Sequence, residues 1–129
     1  MKTKSIFSTV LLGIAMLAFT FCLVSFVSNT LGWVVPAADA AVKNPVKSTA
    51  ASIAAGKAEY IKSCKSCHGE KGNGKMALPS DLTSAAFKGQ TDGAIFYKIN
   101  TGYGKMPKYK TKIAADNDRW NLVNYMRTL

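Results

Sequence analysis

Two observations predict an all-α domain over residues 52–129. Apolar residues recur at helical spacing in three segments, Ile53–Ile61, Ile95–Ile99 and Trp120–Met126. The alternating, β-branched pattern of a half-buried strand is not found around them. The length of 129 residues leaves room for one such domain and a short appendage.

The first predicted helix presents four residues on one buried face: Ile53, Gly56, Tyr60 and Ile61. Gly56 has no side chain, so a second helix can approach it closely. We therefore expect this helix to pack against another one near Gly56.

Two further helices are predicted towards the carboxyl end. One begins at Thr91–Gly93 and continues through Ile99, with Ile95 and Phe96 at helical spacing. The last helix has Asp116 or Asn117 available as its N-cap. Its apolar stripe consists of Trp120, Val123, Tyr125 and Met126.

The amino-terminal segment is predicted to target the chain to a membrane. Lys2 and Lys4 precede an uncharged, mostly apolar run from Ile6 to Val27, which as a helix spans roughly 33 Å and suffices to cross a bilayer. No lysine follows until Lys43, so the amino end is expected in the cytoplasm and the remainder outside it. The domain is therefore expected in the bacterial periplasm or at the outer face of the cytoplasmic membrane.

The leader has two possible fates. Ala38-Asp39-Ala40 fits the small-x-small pattern of a signal-peptidase site, and cleavage after Ala40 releases an 89-residue protein. The apolar run is long for a signal peptide, so retention as a membrane anchor is the alternative. The sequence favours cleavage. Three regions result: a signal peptide or anchor at 1–40, a small, polar linker at 41–51 and the domain at 52–129.

The strongest motif is Cys64-Lys65-Ser66-Cys67-His68, the C-x-x-C-H signature of covalent haem attachment. Positions i, i+3 and i+4 share one face of a helical turn, so Cys64, Cys67 and His68 point the same way. Two thiols can then add to the two vinyl groups of one haem while the imidazole reaches the iron. The sequence predicts one haem c, attached through Cys64 and Cys67 and ligated by His68.

Other uses of these residues are weaker. A closed zinc site needs four Cys or His ligands, and the chain has three cysteines and one histidine, with Cys22 inside the leader. A thioredoxin-like dithiol also uses C-x-x-C but needs strands alternating with helices around it. A haem-free dithiol redox protein is kept as an alternative.

Three methionines compete for the sixth position on the iron. Met76 lies close after His68, which leaves little chain to pass around the ring, and Met126 falls on the apolar face of the last helix. Met106 lies in Gly102-Tyr103-Gly104-Lys105-Met106-Pro107, where glycines allow the backbone to turn and proline stiffens it. Met106 is therefore the predicted ligand, opposite His68.

These features resemble a class I c-type cytochrome of the small bacterial or mitochondrial type. The resemblance covers about residues 52–129. Five stretches carry it: Gly56-x-x-x-Tyr60-x-x-x-Cys64, Cys67-His68-Gly69 followed by Gly72-x-Gly74, Leu78-Pro79-Ser80-Asp81-Leu82, Met106-Pro107, and the helix Trp120–Arg127. It implies a cytochrome c-like helical domain wrapped around one covalently bound haem. It also implies that the carbonyl of Pro79 accepts a hydrogen bond from His68 and fixes its orientation.

A haem with both axial positions filled can exchange one electron without binding a substrate. Methionine favours the ferrous state and raises the reduction potential. The only histidine is committed as a ligand, so the sequence predicts an electron carrier and not an enzyme. A haem-based sensor or ligand-binding cytochrome with labile methionine ligation is the alternative.

Basic charge is concentrated in the exported part. The chain has a net charge of +10, and residues 41–129, with fifteen basic and six acidic residues, carry +9 of it. Lysines flank both the haem motif and Met106, and a positive rim of this kind attracts an acidic redox partner. They are Lys62, Lys65, Lys71, Lys75, Lys105, Lys108, Lys110 and Lys112. Nucleic acid is excluded as the partner, since the domain is exported and has no recognition motif.

Overall fold

The computed structural model describes residues 32–74 and 81–129. Within these ranges the chain forms six helices: α1 (Ala37–Ala40), α2 (Ala50–Ser63), α3 (Lys65–His68), α4 (Ala85–Lys88), α5 (Asp92–Thr101) and α6 (Asp116–Met126). No strand forms in this part of the chain, where Tyr103 and Met106 make an isolated antiparallel bridge. The predicted all-α class is confirmed.

The core is organised around the contact between α2 and α6. A Cβ atom on Gly56 would collide with the backbone carbonyl oxygen of Asn121 and would lie 2.9 Å from Cβ of Tyr125. One turn further along α2, the ring of Tyr60 meets that of Tyr125 with 5.1 Å between centroids. The two backbones therefore approach each other at Gly56 as closely as the sequence predicted.

Helix α5 closes the core from another side. Ile95 and Ile99 are both 2% exposed, and the ring of Phe96 stacks on that of Trp120 with a centroid separation of 3.7 Å. This contact helps to bury the Trp120 ring, which is 4% exposed. The apolar stripe predicted for α6 is indeed buried: Trp120, Val123, Tyr125 and Met126 all belong to the core.

The buried face of α2 differs from the prediction at one position. Ser52, Gly56 and Tyr60 are buried at a spacing of four residues, whereas the side chain of Ile61 is 52% exposed. Adjacent residues in a helix point about 100° apart, so Ile61 cannot share the inward direction of Tyr60. The placement of Ile61 on the buried face was wrong.

The helices begin with the local chemistry of their first turns. Thr49 caps α2, since its hydroxyl accepts from the backbone N–H of Ser52 at 3.2 Å while the Ser52 hydroxyl accepts from that of Thr49 at 2.9 Å. Thr91 caps α5, whose start was predicted at Thr91–Gly93, by accepting from the backbone N–H of Ala94.

Helix α6 has no side-chain cap, which corrects the expectation for Asp116 and Asn117. Its N-cap position is Ala115, and Asp116 is already inside the first turn. The carboxylate of Asp116 instead forms an ion pair with Arg119. The Asp116 carboxylate therefore binds Arg119 in place of the expected capping bond.

The middle of the segment 41–51, predicted as a linker, is hydrogen-bonded to α6. The side-chain amide of Asn44 donates to Oδ1 of Asn124 at 2.8 Å and to the backbone carbonyl of Trp120 at 3.3 Å. Asn124, which is 5% exposed, donates in return to the carbonyl of Val46 at 3.1 Å. These long-range bonds hold the segment against the domain.

The apolar run Ile6–Val27 lies outside the described residues. Among the helices in residues 32–74 and 81–129, none is long and apolar enough to cross a membrane.

Candidate functional site

The C-x-x-C-H motif lies at the junction of α2 and α3. The backbone carbonyl of Cys64 accepts from the N–H groups of Cys67 at 3.2 Å and of His68 at 2.9 Å. The motif therefore folds as one helical turn, the arrangement that brings side chains at i, i+3 and i+4 to one face. Cys64 and Cys67 form no disulfide with each other.

The two thiols differ in their surroundings. Cys64 is 5% exposed, whereas Cys67 is exposed to solvent. Burial raises the pKa of the Cys64 thiol to about 12, and the charges of Glu59 and Cys67 act in the same direction. Before any attachment to a cofactor, the Cys64 thiol is therefore protonated at neutral pH.

Tyr60 fixes the chain immediately after the motif. Its side chain is fully buried, and its hydroxyl donates to the backbone carbonyl of Gly69 at 2.7 Å. Burial raises the pKa of Tyr60 to about 12, so the hydroxyl keeps its proton and remains a donor. The sequence identified Tyr60 as a core residue but not as a partner of the turn that follows His68.

Tyr60→Phe is expected to destabilise the domain by about 1–3 kcal/mol, because it leaves the buried Gly69 carbonyl without this donor. Thermal unfolding followed by circular dichroism measures the effect. Tyr103→Phe is the matched control, since Tyr103 is 59% exposed. Equal unfolding temperatures for the two variants would contradict the role given to the Tyr60 hydroxyl.

Met106 lies in a two-residue turn. Tyr103 and Met106 exchange two backbone hydrogen bonds, each 2.9 Å long, across Gly104 and Lys105. Gly102 and Gly104 have φ angles of 63° and 58°, a left-handed conformation that glycine adopts without steric cost. The side chain of Met106 is partly buried against the core.

Tyr109 joins the Met106 segment to the haem motif. Its hydroxyl donates at 2.7 Å to the backbone carbonyl of Ser63, the residue before Cys64. Its backbone N–H donates to the carbonyl of Ile99 at 3.0 Å. The structure thus brings together two parts of the site that are far apart in sequence. Sequence reasoning missed Tyr109. Its position three residues after Met106 was the feature that could have indicated a role in the site.

Arg119 shapes the loop between Tyr109 and α6. Its side chain is 1% exposed, and its guanidinium donates to the backbone carbonyls of Lys110, Ile113 and Ala114. The guanidinium also lies 5.5 Å from the ring of Phe96. Four acceptors, one of them the Asp116 carboxylate, offset much of the cost of burying this charge, although Nε of Arg119 has no hydrogen-bond partner among the described residues. Sequence reasoning missed Arg119. The feature that could have indicated its role is a charged residue directly beside the apolar stripe of α6.

Most of the lysines near the two motifs are exposed. Seven of the eight predicted rim residues lie in the described ranges, and six of these are exposed: Lys62, Lys71, Lys105, Lys108, Lys110 and Lys112. Lys65 is half-buried and forms an ion pair of 3.2 Å with Glu70. Lys62 forms a longer pair of 3.8 Å with Glu59. Around Met106, the described structure has lysine charges without such ion pairs.

Three residues named for the haem site and its lysine rim lie outside the described residues: Lys75, Met76 and Pro79. The hydrogen bond expected between the Pro79 carbonyl and His68 therefore stays a prediction. So does the choice of Met106 over Met76.

The residues present suit a covalently attached haem. Two unpaired thiols and an imidazole lie on one helical turn, and a methionine follows on a loop tied to that turn through Tyr109. Thiols that can form thioethers, an imidazole and a thioether sulfur are the donor set of a c-type haem. A helical fold with this donor set defines the class of c-type cytochromes.

Comparison with protein families agrees with this class. Residues 51–126 match the family described as cytochrome C oxidase, cbb3-type, subunit III. The chain therefore belongs to this family of c-type cytochrome domains, which implies one covalently bound haem c with its iron. Such a domain is in general a haem-based electron carrier. A search of curated proteins found none that matches the chain.

Proposed function

We propose that this chain is an extracytoplasmic one-electron carrier with a single haem c, attached through Cys64 and Cys67 and ligated by His68 and Met106. The observation that carries the proposal is the hydrogen bond from Tyr109 to Ser63. In the described ranges, Met106 is the one candidate sulfur ligand that lies outside a helix. The bond connects the loop of Met106 to the beginning of the haem motif.

The chain's own residues have distinct parts in this proposal. Bound haem supplies an iron that gains or loses one electron. Cys64 and Cys67 fix the ring, and the turn closed by Tyr60 and Gly69 holds the backbone next to His68. The tight turn from Tyr103 to Met106 restrains the opposite ligand. If His68 and Met106 both held the iron of a bound haem, a substrate would find no ligand position there, so we propose a carrier and not an enzyme.

A pyridine haemochrome assay on the purified native protein tests covalent haem directly. We expect the spectrum of a haem joined by two thioethers, retained after acid–acetone extraction. Loss of the haem into the organic phase would contradict covalent attachment, and a preparation without any haemochrome signal would support the haem-free dithiol protein. The ferric absorption spectrum then distinguishes a carrier from a sensor, because methionine ligation produces a weak band near the red edge of the visible range.

The proposed partner is an acidic redox protein, such as an oxidase, a reductase or another cytochrome. The exposed lysines around Met106 and the net charge of +9 in residues 41–129 support this choice. Charges at the rim of an interface chiefly increase the association rate. The family match is consistent with a respiratory chain, and we propose that the domain works there in the periplasm or at the outer face of the cytoplasmic membrane.

Electron transfer to an acidic partner is expected to slow as salt is added. The Debye length shortens from about 30 Å at 0.01 M to about 8 Å at 0.15 M ionic strength, so long-range attraction is screened. Stopped-flow measurement of the second-order rate against ionic strength checks this. Lys108→Gln should flatten the dependence, whereas Lys57→Gln, in α2 outside the predicted rim, serves as the control. A rate independent of salt would refute steering by the lysine rim.

A further inference from the structure

Within the described part of the chain, the segment from Trp33 to Ala40 is built into the domain. We call Trp33–Val46 the amino-terminal strap. Its helix α1 packs against α5. At Gly93, in the first turn of α5, a Cβ atom would collide with the carbonyl oxygen of Asp39 and would lie 2.7 Å from that of Val42. The strap therefore occupies the space that any other residue at position 93 would fill.

A hydrogen bond fixes the strap at the predicted cleavage point itself. The Thr91 hydroxyl accepts from Ala94 to cap α5 and donates at 2.6 Å to the carbonyl oxygen of Ala40. This carbonyl belongs to the peptide bond between Ala40 and Ala41, the bond that a signal peptidase would cut. The backbone here is helical, since the N–H of Ala41 donates to the carbonyl of Ala37 at 3.0 Å.

These contacts discriminate between the two fates of the leader. The bonds of Asn44 to α6 lie after Ala40 and are present whether or not the chain is cut. The contacts of Asp39 with Gly93 and of Ala40 with Thr91 exist only if the chain is not cut after Ala40. Glycine inside a helix costs about 1 kcal/mol of stability relative to alanine. The close approach of the strap explains why position 93 is nevertheless a glycine.

We propose that Trp33–Ala40 remain in the mature protein and that Ala38-Asp39-Ala40 is a docking segment of the fold, not a signal-peptidase site. This reverses the preference for cleavage that the small-x-small pattern suggested. If these residues are retained, the strap stays attached to the haem domain. Any part of the leader that the cell does not remove stays attached with it.

Intact mass of the native protein, purified with its complete coding sequence expressed, tests the proposal. We expect a chain that begins at or before Trp33 and carries one haem. A mass corresponding to a chain that begins at Ala41 would overturn it.

Ala38→Leu provides the matched control, because leucine is not a small residue and position 38 is exposed on α1. We expect the variant and the wild type to have the same amino terminus. A longer chain only in the Ala38→Leu variant would identify Ala38 as part of a working cleavage site and would also overturn the proposal.

A separate observation concerns the other end of the strap. The ring of Trp33 stacks on that of Tyr103, with 5.3 Å between centroids and 25° between planes. The ammonium of Lys98 lies 5.4 Å from the Trp33 ring. Tyr103 is the residue whose two backbone bonds close the turn that holds Met106.

From this contact we infer that Trp33 is a positioning residue for Met106. The inference rests on the proposed ligation of the haem by Met106. Trp33 restricts the motion of Tyr103, and Tyr103 in turn holds the Met106 backbone through its two hydrogen bonds. Loss of the stacked ring therefore favours the open form of the turn, in which the sulfur leaves the iron.

The rate at which cyanide replaces methionine on the ferric protein measures this opening. We expect Trp33→Ala to bind cyanide about two- to tenfold faster than wild type, the range that corresponds to the loss of one aromatic pair. Trp33→Phe keeps an aromatic ring and should bind cyanide at a rate close to that of wild type. Val34→Ala is the control, since Val34 is 79% exposed and adjacent in the chain.

The outcomes separate this inference from the proposed function. A wild-type ferric protein without the methionine–iron band would contradict the ligation itself. A wild type with that band, and a Trp33→Ala variant with unchanged cyanide kinetics, would overturn only the role of Trp33. A mature protein beginning at Ala41 would overturn both inferences about the strap.

Discussion

Replacing Gly56 by valine is expected to prevent α2 and α6 from packing at their crossing. The added Cβ would meet the Asn121 backbone carbonyl, with its carbon atom 2.6 Å away, and a backbone obstacle cannot rotate aside as a side chain would. Overpacking in cores usually costs about 1–3 kcal/mol, and we expect the upper end of this range or more. Total stability is typically about 5–15 kcal/mol, so this is a large loss.

Thermal unfolding of the haem-loaded protein measures the effect of Gly56→Val. A decrease of roughly 10 °C or more in the midpoint is expected for a domain of this size. Ala55→Val supplies the control, because Ala55 is the exposed neighbour in the same helix and valine has the same helix propensity at both positions. If both variants unfold at the same temperature, the close approach at Gly56 does not limit stability.

Met106→Ala is expected to lower the reduction potential and to open one axial position on the iron. Methionine sulfur favours the ferrous state, and its removal should shift the potential downwards by on the order of 100 mV, within the roughly 0.8 V range that axial ligands span. The ferric methionine–iron band should disappear, and carbon monoxide should bind the ferrous protein. Redox titration and carbon monoxide difference spectra measure both effects.

Met126→Ala distinguishes ligand loss from a packing defect. Met126 is 3% exposed in the core, so its replacement should lower stability while leaving the potential and the spectrum nearly unchanged. Met76→Ala examines the competing ligand. Should that variant, and not Met106→Ala, lose the methionine–iron band, the assignment of the sixth ligand is incorrect.

The parts of the fold that sequence predicted are those governed by local pattern. The stripe of α6 and the start of α5 at Thr91 follow from helical period and capping chemistry. The single turn of the haem motif follows from the spacing of Cys64, Cys67 and His68 alone. Family membership was likewise available from these stretches, because their order and residue types are specific.

The features that the sequence did not reveal depend on contacts between distant residues. Asn44 reads as part of a polar linker, yet Asn124 holds it against α6 from 80 positions away in the chain. Asp116 looks like an N-cap, but the buried Arg119 competes for its carboxylate. Tyr109 and Ser63 are separated by 46 positions, and no local pattern indicates their bond. Each of these contacts forms only when the chain folds, so the sequence alone does not predict it.

The bond between Tyr109 and Ser63 has a consequence for the speed of electron transfer. An electron moves quickly when the ligands of the iron need little rearrangement as its charge changes, since groups already in position cost no reorganisation at that moment. In the proposed carrier, the segment carrying the sulfur ligand and the turn carrying the imidazole are linked through protein as well as through the iron. The oxidised and reduced forms should therefore have nearly the same shape.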